Sequence, residues 1–399
     1  MTSSSNFLPG LLSTDTLSNP NTLSQNNLGV AGFSINQFNP QASVRAPRGV
    51  VSIDGTPINW INWEVNTSGR SDTSTFKVTL PLGGTSGTLP LSYYVSSGQV
   101  LVEIQATGAG APNNIVSSSQ MDVLIIGYVD YLSYEPDKAI LVLAGRDHGS
   151  KLIDKKTSVK YQNLTSAQIV NQIASNSGLT PVITNTQLLS GKYYQIDHAR
   201  LTDQTSDWDL LQYLAREENY IAFVKGNNLY FQPQGTQTPY VIDLSSPGYT
   251  SSDPVVQQSN AVEIELTRNF VIGKGAKVSV HSWHLKSKRK VTSVSTAQGN
   301  NGEPLAFDYT YPNLSPDQAA RRSKSKLHDI TQHEFTLNIR MPADNLLNPQ
   351  VPVQVIGTNS EFDQIYYVKS VQREMSFNQG YTMQFEAMNS AAKNTVTTS

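Results

Sequence analysis

From about residue 49 to residue 147, apolar and polar positions alternate with period two. The stretches 75–80, 100–104, 123–129 and 139–144 each turn every second side chain toward one apolar face, the pattern of half-buried β-strands. Gly, Pro and Ser clusters separate them, as at 83–90 and 108–112. Five or six strands with no helix between them predict an antiparallel sheet closed as a small barrel or sandwich.

Past residue 148 the period lengthens. Thr165 and Gln168 have the spacing of a capping box, so a helix is expected to start at about Ser166. Ile169, Val170, Ile173 and Ala174 give it one apolar face, and Gly178 can take the left-handed conformation that ends it. Ser206 or Asp207 can cap a second helix, whose stripe is Leu210, Leu211, Leu214 and Ala215. Residues 220–224 and 229–231, aromatic and β-branched, flank Gly226-Asn227-Asn228 and read as a hairpin. Between 261 and 389 period two returns at 262–266, 276–280, 333–339, 351–356, 365–368 and 381–387. One helix interrupts it, signalled by Ser315-Pro316-Asp317-Gln318 and running to about Asp329. Overlaying 129–147 on 371–389 sets Ala139, Leu141 and Leu143 over Tyr381, Met383 and Phe385, the match expected if one β unit occurs twice.

The fold class expected is mainly β with an α+β insertion: two antiparallel β-barrel domains flanking a small helix and hairpin module. The boundaries are a low-complexity arm at 1–45, a first β-barrel at 46–147, the module at 148–250, a second β-barrel with one capped helix at 251–389, and a tail at 390–399. A chain of 399 residues exceeds one hydrophobic core. The arm is rich in Ser, Asn, Thr and Gln, yet it carries Phe7, Leu8, Leu11, Leu12, Val30, Phe33, Ile35 and Phe38. It reads either as disordered or as an arm ordering on a neighbouring subunit.

The succession from Gly145 to Phe231 resembles the late-control/baseplate-hub family of contractile phage tails and related injection machines. Its most specific parts are Leu152-Ile153-Asp154-Lys155, the helix at 165–174 and the unit at 207–231. The resemblance implies a structural hub: a homotrimeric ring of paired barrels joining the sixfold tail tube to a threefold spike. Partners implied are a separate spike protein, the tail tube or tape-measure protein, baseplate wedge proteins, and DNA in transient passage. It places the chain in the virion tail baseplate, assembled in the host cytoplasm. The sequence ends at Ser399 without the repetitive β-helix of fused hub-spike proteins, hence the separate spike.

Composition narrows the chemistry. Charged residues are only 15% and the net charge is −2, unlike a chain devoted to gripping phosphate backbones. With no Cys there is no disulfide, thiolate nucleophile or Cys-ligated zinc. The first 44 residues hold one charge, Asp15, and no basic stretch of a signal peptide. The apolar run 123–129 is too short to cross a bilayer, so no stable membrane insertion is expected. His281 and His284, three apart in a strand, point to opposite faces and do not form a metal site. Arg146-Asp147-His148 lacks a nucleophile elbow, and Glu217 and Glu218 point apart on a helix. Asp253, Glu263, Glu265 and Glu361 remain the carboxylates that folding could pair into a glycosidase site. No cofactor, metal or catalytic residue is therefore expected, against the alternatives of a tail-associated polysaccharide-degrading enzyme or a receptor-binding adhesin. Two basic runs stand out as candidate partner contacts: Lys286, Lys288, Arg289 and Lys290 in a hairpin, and Arg321, Arg322, Lys324 and Lys326 in the capped helix. They suit an acidic partner surface or passing DNA.

Overall fold

A computed structural model of the chain describes residues 48–69, 72–83, 87–107, 121–157, 161, 164–187, 205–218, 220–233, 237–244, 261–284, 288–298, 303–389 and 394–398. The arm at 1–45, the loop at 108–112, Asp253 and Lys286 lie outside the described residues.

The first block comprises β1 (Gly49–Ile53), β2 (Thr56–Ile58), β3 (Asn62–Ser68), β4 (Thr75–Pro81), the short helix α1 (Leu91–Ser96), β5 (Leu101–Thr107), β6 (Met121–Glu135) and β7 (Ile140–Asp147). Every pairing within it is antiparallel. The β1–β2 turn is Asp54-Gly55, both at positive φ, as a two-residue hairpin turn with the right twist requires. Alternation delivers the core: Val51, Ile53, Val65, Val78, Val102, Ile104, Leu141 and Leu143 are all fully buried. Across the block, Trp60 Nε1 donates to the Gly49 carbonyl at 3.2 Å. A Cβ on Gly49 would lie 2.9 Å from Trp63 Nε1, so the sheet curls until β1 and β3 meet.

The second block is α2 (Ser150–Asp154), β8 (Lys156–Thr157), α3 (Ser166–Asn176), β9 (Thr180–Ile183), β10 (Thr205–Ser206), α4 (Asp207–Glu218), β11 (Tyr220–Lys225) and β12 (Asn228–Pro233). α3 starts with the Thr165/Gln168 capping box, both reciprocal hydrogen bonds being made. Ser206 caps α4, its Oγ accepting from Asp209 N at 3.1 Å while Asp209 Oδ2 accepts from Ser206 N. The stripes Ile169, Val170, Ile173 and Leu210, Leu211, Leu214 close over the hairpin's Leu229 and Phe231 in a core of their own.

Beyond it come β13 (Tyr240–Asp243), β14 (Glu263–Arg268), β15 (Gly275–His284), β16 (Arg289–Gln298), β17 (Leu305–Thr310), α5 (Pro316–Thr331), β18 (Phe335–Pro342), β19 (Val353–Ile356), β20 (Ile365–Ser376), β21 (Gly380–Asn389) and β22 (Asn394–Thr398). Pairing distributes these strands differently from their order in the chain. β15, β16, β17 and β22 form a separate four-stranded sheet, with α5 packed on it over a small core of Ala276, Val278, Val280, Ala319 and Leu327. β13, though it falls within 148–250, pairs in parallel with β19. The remaining strands join the first block directly, β20 pairing with β3 from Asn62↔Ser376 to Ser68↔Ser370. The result is one 13-stranded sheet. No helix of the described residues is long and apolar enough to cross a membrane.

Within this sheet the order of neighbours β1-β5-β6-β7-β4-β3 recurs as β13-β19-β20-β21-β18-β14, and corresponding strands follow one another in the same sequence order. Two local features recur with it. In β6 the register against β7 slips between Val129↔Gly145 and Tyr131↔Ala144, making Asp130 a bulge residue. In β20 it slips between Val368↔Ala387 and Ser370↔Glu386, making Lys369 the equivalent. At the end of the last strand, buried Asp147 accepts the Ser74 N–H at 3.0 Å, and buried Asn389 accepts the Phe335 N–H at 3.1 Å. An extra residue in a ladder is a built feature, and it stands at the same place in both halves.

Candidate functional site

The two basic runs fall in one structural unit, the β15–β16–β17–β22 sheet with α5. The β15–β16 hairpin presents the first run at its tip. Lys288 turns the chain with φ 51, Arg289 pairs with His284, and Lys290 pairs with Trp283, which is 55% exposed. Lys288, Arg289 and Lys290 are exposed and make no ion pair among the described residues.

The second run is set by the helix period. The Ser315/Gln318 capping box fixes the start of α5, and Ala319, Ser323 and Leu327 then face the sheet at four-residue spacing. Ser323 Oγ meets Ser293 Oγ at 3.0 Å and Ser295 Oγ at 2.7 Å, all three buried. One position before that stripe, Arg322 points toward the α+β module instead of solvent. It forms an ion pair with Glu217 of α4 and lies over the rings of Tyr311 at 4.6 Å and Tyr213 at 5.6 Å. Burial opposes its charge, but Glu217, Tyr213 and Tyr311 outweigh that and hold its pKa above the ordinary arginine range. Lys326 Nζ sits 5.8 Å from the Tyr309 ring centre. Arg321 is half-buried and Lys324 exposed. Of the helical run, Lys324 and Arg321 thus face outward, while Arg322 joins two units of the same chain.

Most of the remaining chemistry-bearing groups are engaged structurally; Glu265 is exposed and makes no ion pair among the described residues. Arg146 binds Asp130 at 2.7 Å and Asp154 at 3.1 Å. Asp147 accepts from Ser74 N and Gly149 N; burial nonetheless pushes its pKa up to about 6. His148 stacks on Tyr128 with ring centres 5.2 Å apart, and burial, aided by Lys151, lowers its pKa. Glu217 holds Arg322, and Glu218 accepts from Ser166 Oγ at 2.7 Å. Glu361 pairs with Arg268 at 2.5 Å and Glu263 with Arg340 at 4.0 Å. Among the described residues no group of three or more His, Asp or Glu is placed to hold a metal ion.

Sequence reasoning did not single out Arg373 of β20, whose side chain is 1% exposed. Its Nη2 donates to the carbonyls of Asp344 and Leu347, and Nε has no partner. Burial lowers its pKa against the opposing pull of Tyr381, Asp344 and Asp122. The signal was present in the strand's alternation, since Val371, Arg373 and Met375 share one face. Arg373 contributes to a cleft where both halves of the large sheet meet the β11–β12 turn; Thr67, Asp122, Asp147, Lys225 and Asn345 also line it.

No family model matches this sequence, and neither does any curated protein. Solved structures do match its fold. The tail protein from Neisseria meningitidis MC58 superposes with a TM-score of 0.61 at 13% identity, over 86% of this chain and 97% of that one. The 43 kDa tail protein of prophage MuSo2 from Shewanella oneidensis gives the same TM-score and identity, over 86% of this chain and 100% of that one. This chain shares its fold with phage tail proteins. The likeness covers 86% of this chain and essentially the whole of each neighbour.

Proposed function

We propose that this chain is a structural component of a phage tail or phage-derived injection particle, forming a homotrimeric hub ring between a sixfold tube and a threefold spike. The observation that carries the reading is the six-strand unit present twice in a fold shared with tail proteins. Three copies offer six near-equivalent units to a tube on one side and a true threefold to a spike on the other. The spike is a separate chain; tube or tape-measure and wedge proteins are the other neighbours, and DNA passes transiently. The chain carries no catalytic residue in this reading. Lys288, Arg289, Lys290, Arg321 and Lys324 serve as contacts to an acidic partner surface or to that DNA.

Co-expression with the neighbouring tail genes, followed by mass measurement of the purified complex, tests the assembly. Three copies of the chain per complex are expected, and any other stoichiometry contradicts the ring. Incubation with host polysaccharides is expected to release no reducing ends; cleavage lost on a single Asp or Glu substitution would favour the enzyme reading instead.

A further inference from the structure

We propose that the outer edge of β6 at residues 121–126 accepts an extended strand from the chain's own N-terminal segment, centred on residues 31–36. β6, at 15 residues, is longer than either of its partners, β5 with 7 and β7 with 8. β5 pairs with it from Leu101↔Tyr128 to Thr107↔Met121, whereas β7 begins only at Gly127↔Asp147 and then leaves the sheet for α2. Residues 121–126 therefore have one side hydrogen-bonded and the other without a partner among the described residues. That side opens on the cleft, whose wall includes Asp122 and the four residues after it. A row of unpaired backbone groups beside a groove is a template for strand addition, and Val123, 37% exposed, stands on it uncovered.

Three observations favour the N-terminal segment as occupant. First, the described chain begins at the same end of the sheet, across β5 from this edge: Arg48 N donates to Thr107 Oγ1 at 2.9 Å, and Thr107 is the register partner of Met121. Second, Ala31-Gly32-Phe33-Ser34-Ile35-Asn36 alternates apolar and small or polar residues with period two. The 12 residues at 37–48 reach up to roughly 40 Å, well beyond the roughly 15 Å of three strand spacings between β1 and the far side of β6. Third, the cleft's own charges balance, Asp122 and Asp147 against Lys225 and Arg373. It suits a neutral guest, and Asp15 is the only charge in residues 1–44.

Amide hydrogen exchange of residues 121–126 tests this in three full-length or shortened forms: the intact chain, a chain lacking residues 1–39, and the double substitution Phe33→Asp, Ile35→Asp in the full chain. Exchange is expected to be at least tenfold faster in both altered forms. A synthetic peptide of residues 29–39 is expected to restore protection in the shortened chain and to bind the intact chain far more weakly, its site being filled. Equal exchange in all three forms overturns the proposal. So does protection of the intact chain that increases with protein concentration, which would assign the edge to a second copy. The double substitution leaves the chain at its full length, so a folding defect of the deletion does not decide the outcome, and none of these readouts requires ring formation.

Discussion

The two halves of the large sheet use one plan with different fillings. Each has six strands in the same order, a bulge at the same register position and an Asx side chain closing the last strand. The first half connects β3 to β4 through residues 69–74, whereas the second, between β14 and β18, carries α5 and three strands of the four-stranded sheet, whose fourth strand, β22, follows β21. The frame thus admits an insertion at a connection and keeps its long hairpin intact. Their β1–β5 and β13–β19 edges also differ, antiparallel in one and parallel in the other. Polar residues diverge at equivalent register positions. Register sets Tyr134, opposite Leu141, in the place of Arg373, opposite Met383; the tyrosine is 39% exposed and the arginine 1%. Asp147 in one half answers Asn389 in the other. Even the bulges trade signs, Asp130 binding Arg146 and Lys369 binding Glu386 at 3.0 Å. What the halves share is backbone geometry, and what they do not share is charge.

The largest expected effect separates Arg373 from Tyr134. Arg373→Ala removes a buried side chain and strands the Asp344 and Leu347 carbonyls, so denaturant unfolding should show a loss of about 2–5 kcal/mol. Tyr134→Ala at the equivalent exposed site should stay within about 0.5 kcal/mol. Equal losses would break the comparison.

Next comes the Asx pair. The Asp147 pKa is raised from 3.8 to about 6 in the folded chain. The folded state therefore holds this proton more tightly than the unfolded state, and the group's contribution to stability falls as pH rises from about 4 to about 6, then levels off. The stability of the native protein relative to Asp147→Asn should drop by on the order of 3 kcal/mol across that window. Asn389→Asp should bring the same pH dependence into the second half. A difference between native protein and Asp147→Asn that is flat with pH would refute the assignment. The bulge pairs are exposed, so Asp130→Ala and Lys369→Ala should each cost less than about 1 kcal/mol in a double-mutant cycle with the partner residue. A larger coupling at one bulge would show that the two are not equivalent.

Much of this plan could be read in the sequence because it is local. The Thr165/Gln168 and Ser315/Gln318 capping boxes need only four residues to declare a helix start, and the period-two runs mark β4 to β7, β14, β15 and β18 to β21, though not β1, β3, β13, β16 or β17. The overlay of Leu141 and Leu143 on Met383 and Phe385 matches their shared burial and their register positions. What escaped notice depends on distance. The β3–β20 ladder joins residues some 300 positions apart, and alternation says which face is buried, not which strand lies alongside. Chain position sets β13 within the α+β module, while its partner β19 lies more than 100 residues further on. Of the basic residues, Arg322 differs from Lys324 only in its angular position beside the Ala319, Ser323, Leu327 stripe. That angle turns it toward Glu217, an acid on another unit that no local pattern reveals.

The central claim is that the repeated unit exists to present six near-equivalent surfaces from three chains. Electron cryo-microscopy of the complex formed with the neighbouring tail proteins tests it most directly. The account predicts a ring of three copies in which β1–β7 and β13–β21 alternate around the channel at about 60° steps, six units from three chains. A ring of six copies, or one in which either half is turned away from the channel, would contradict it.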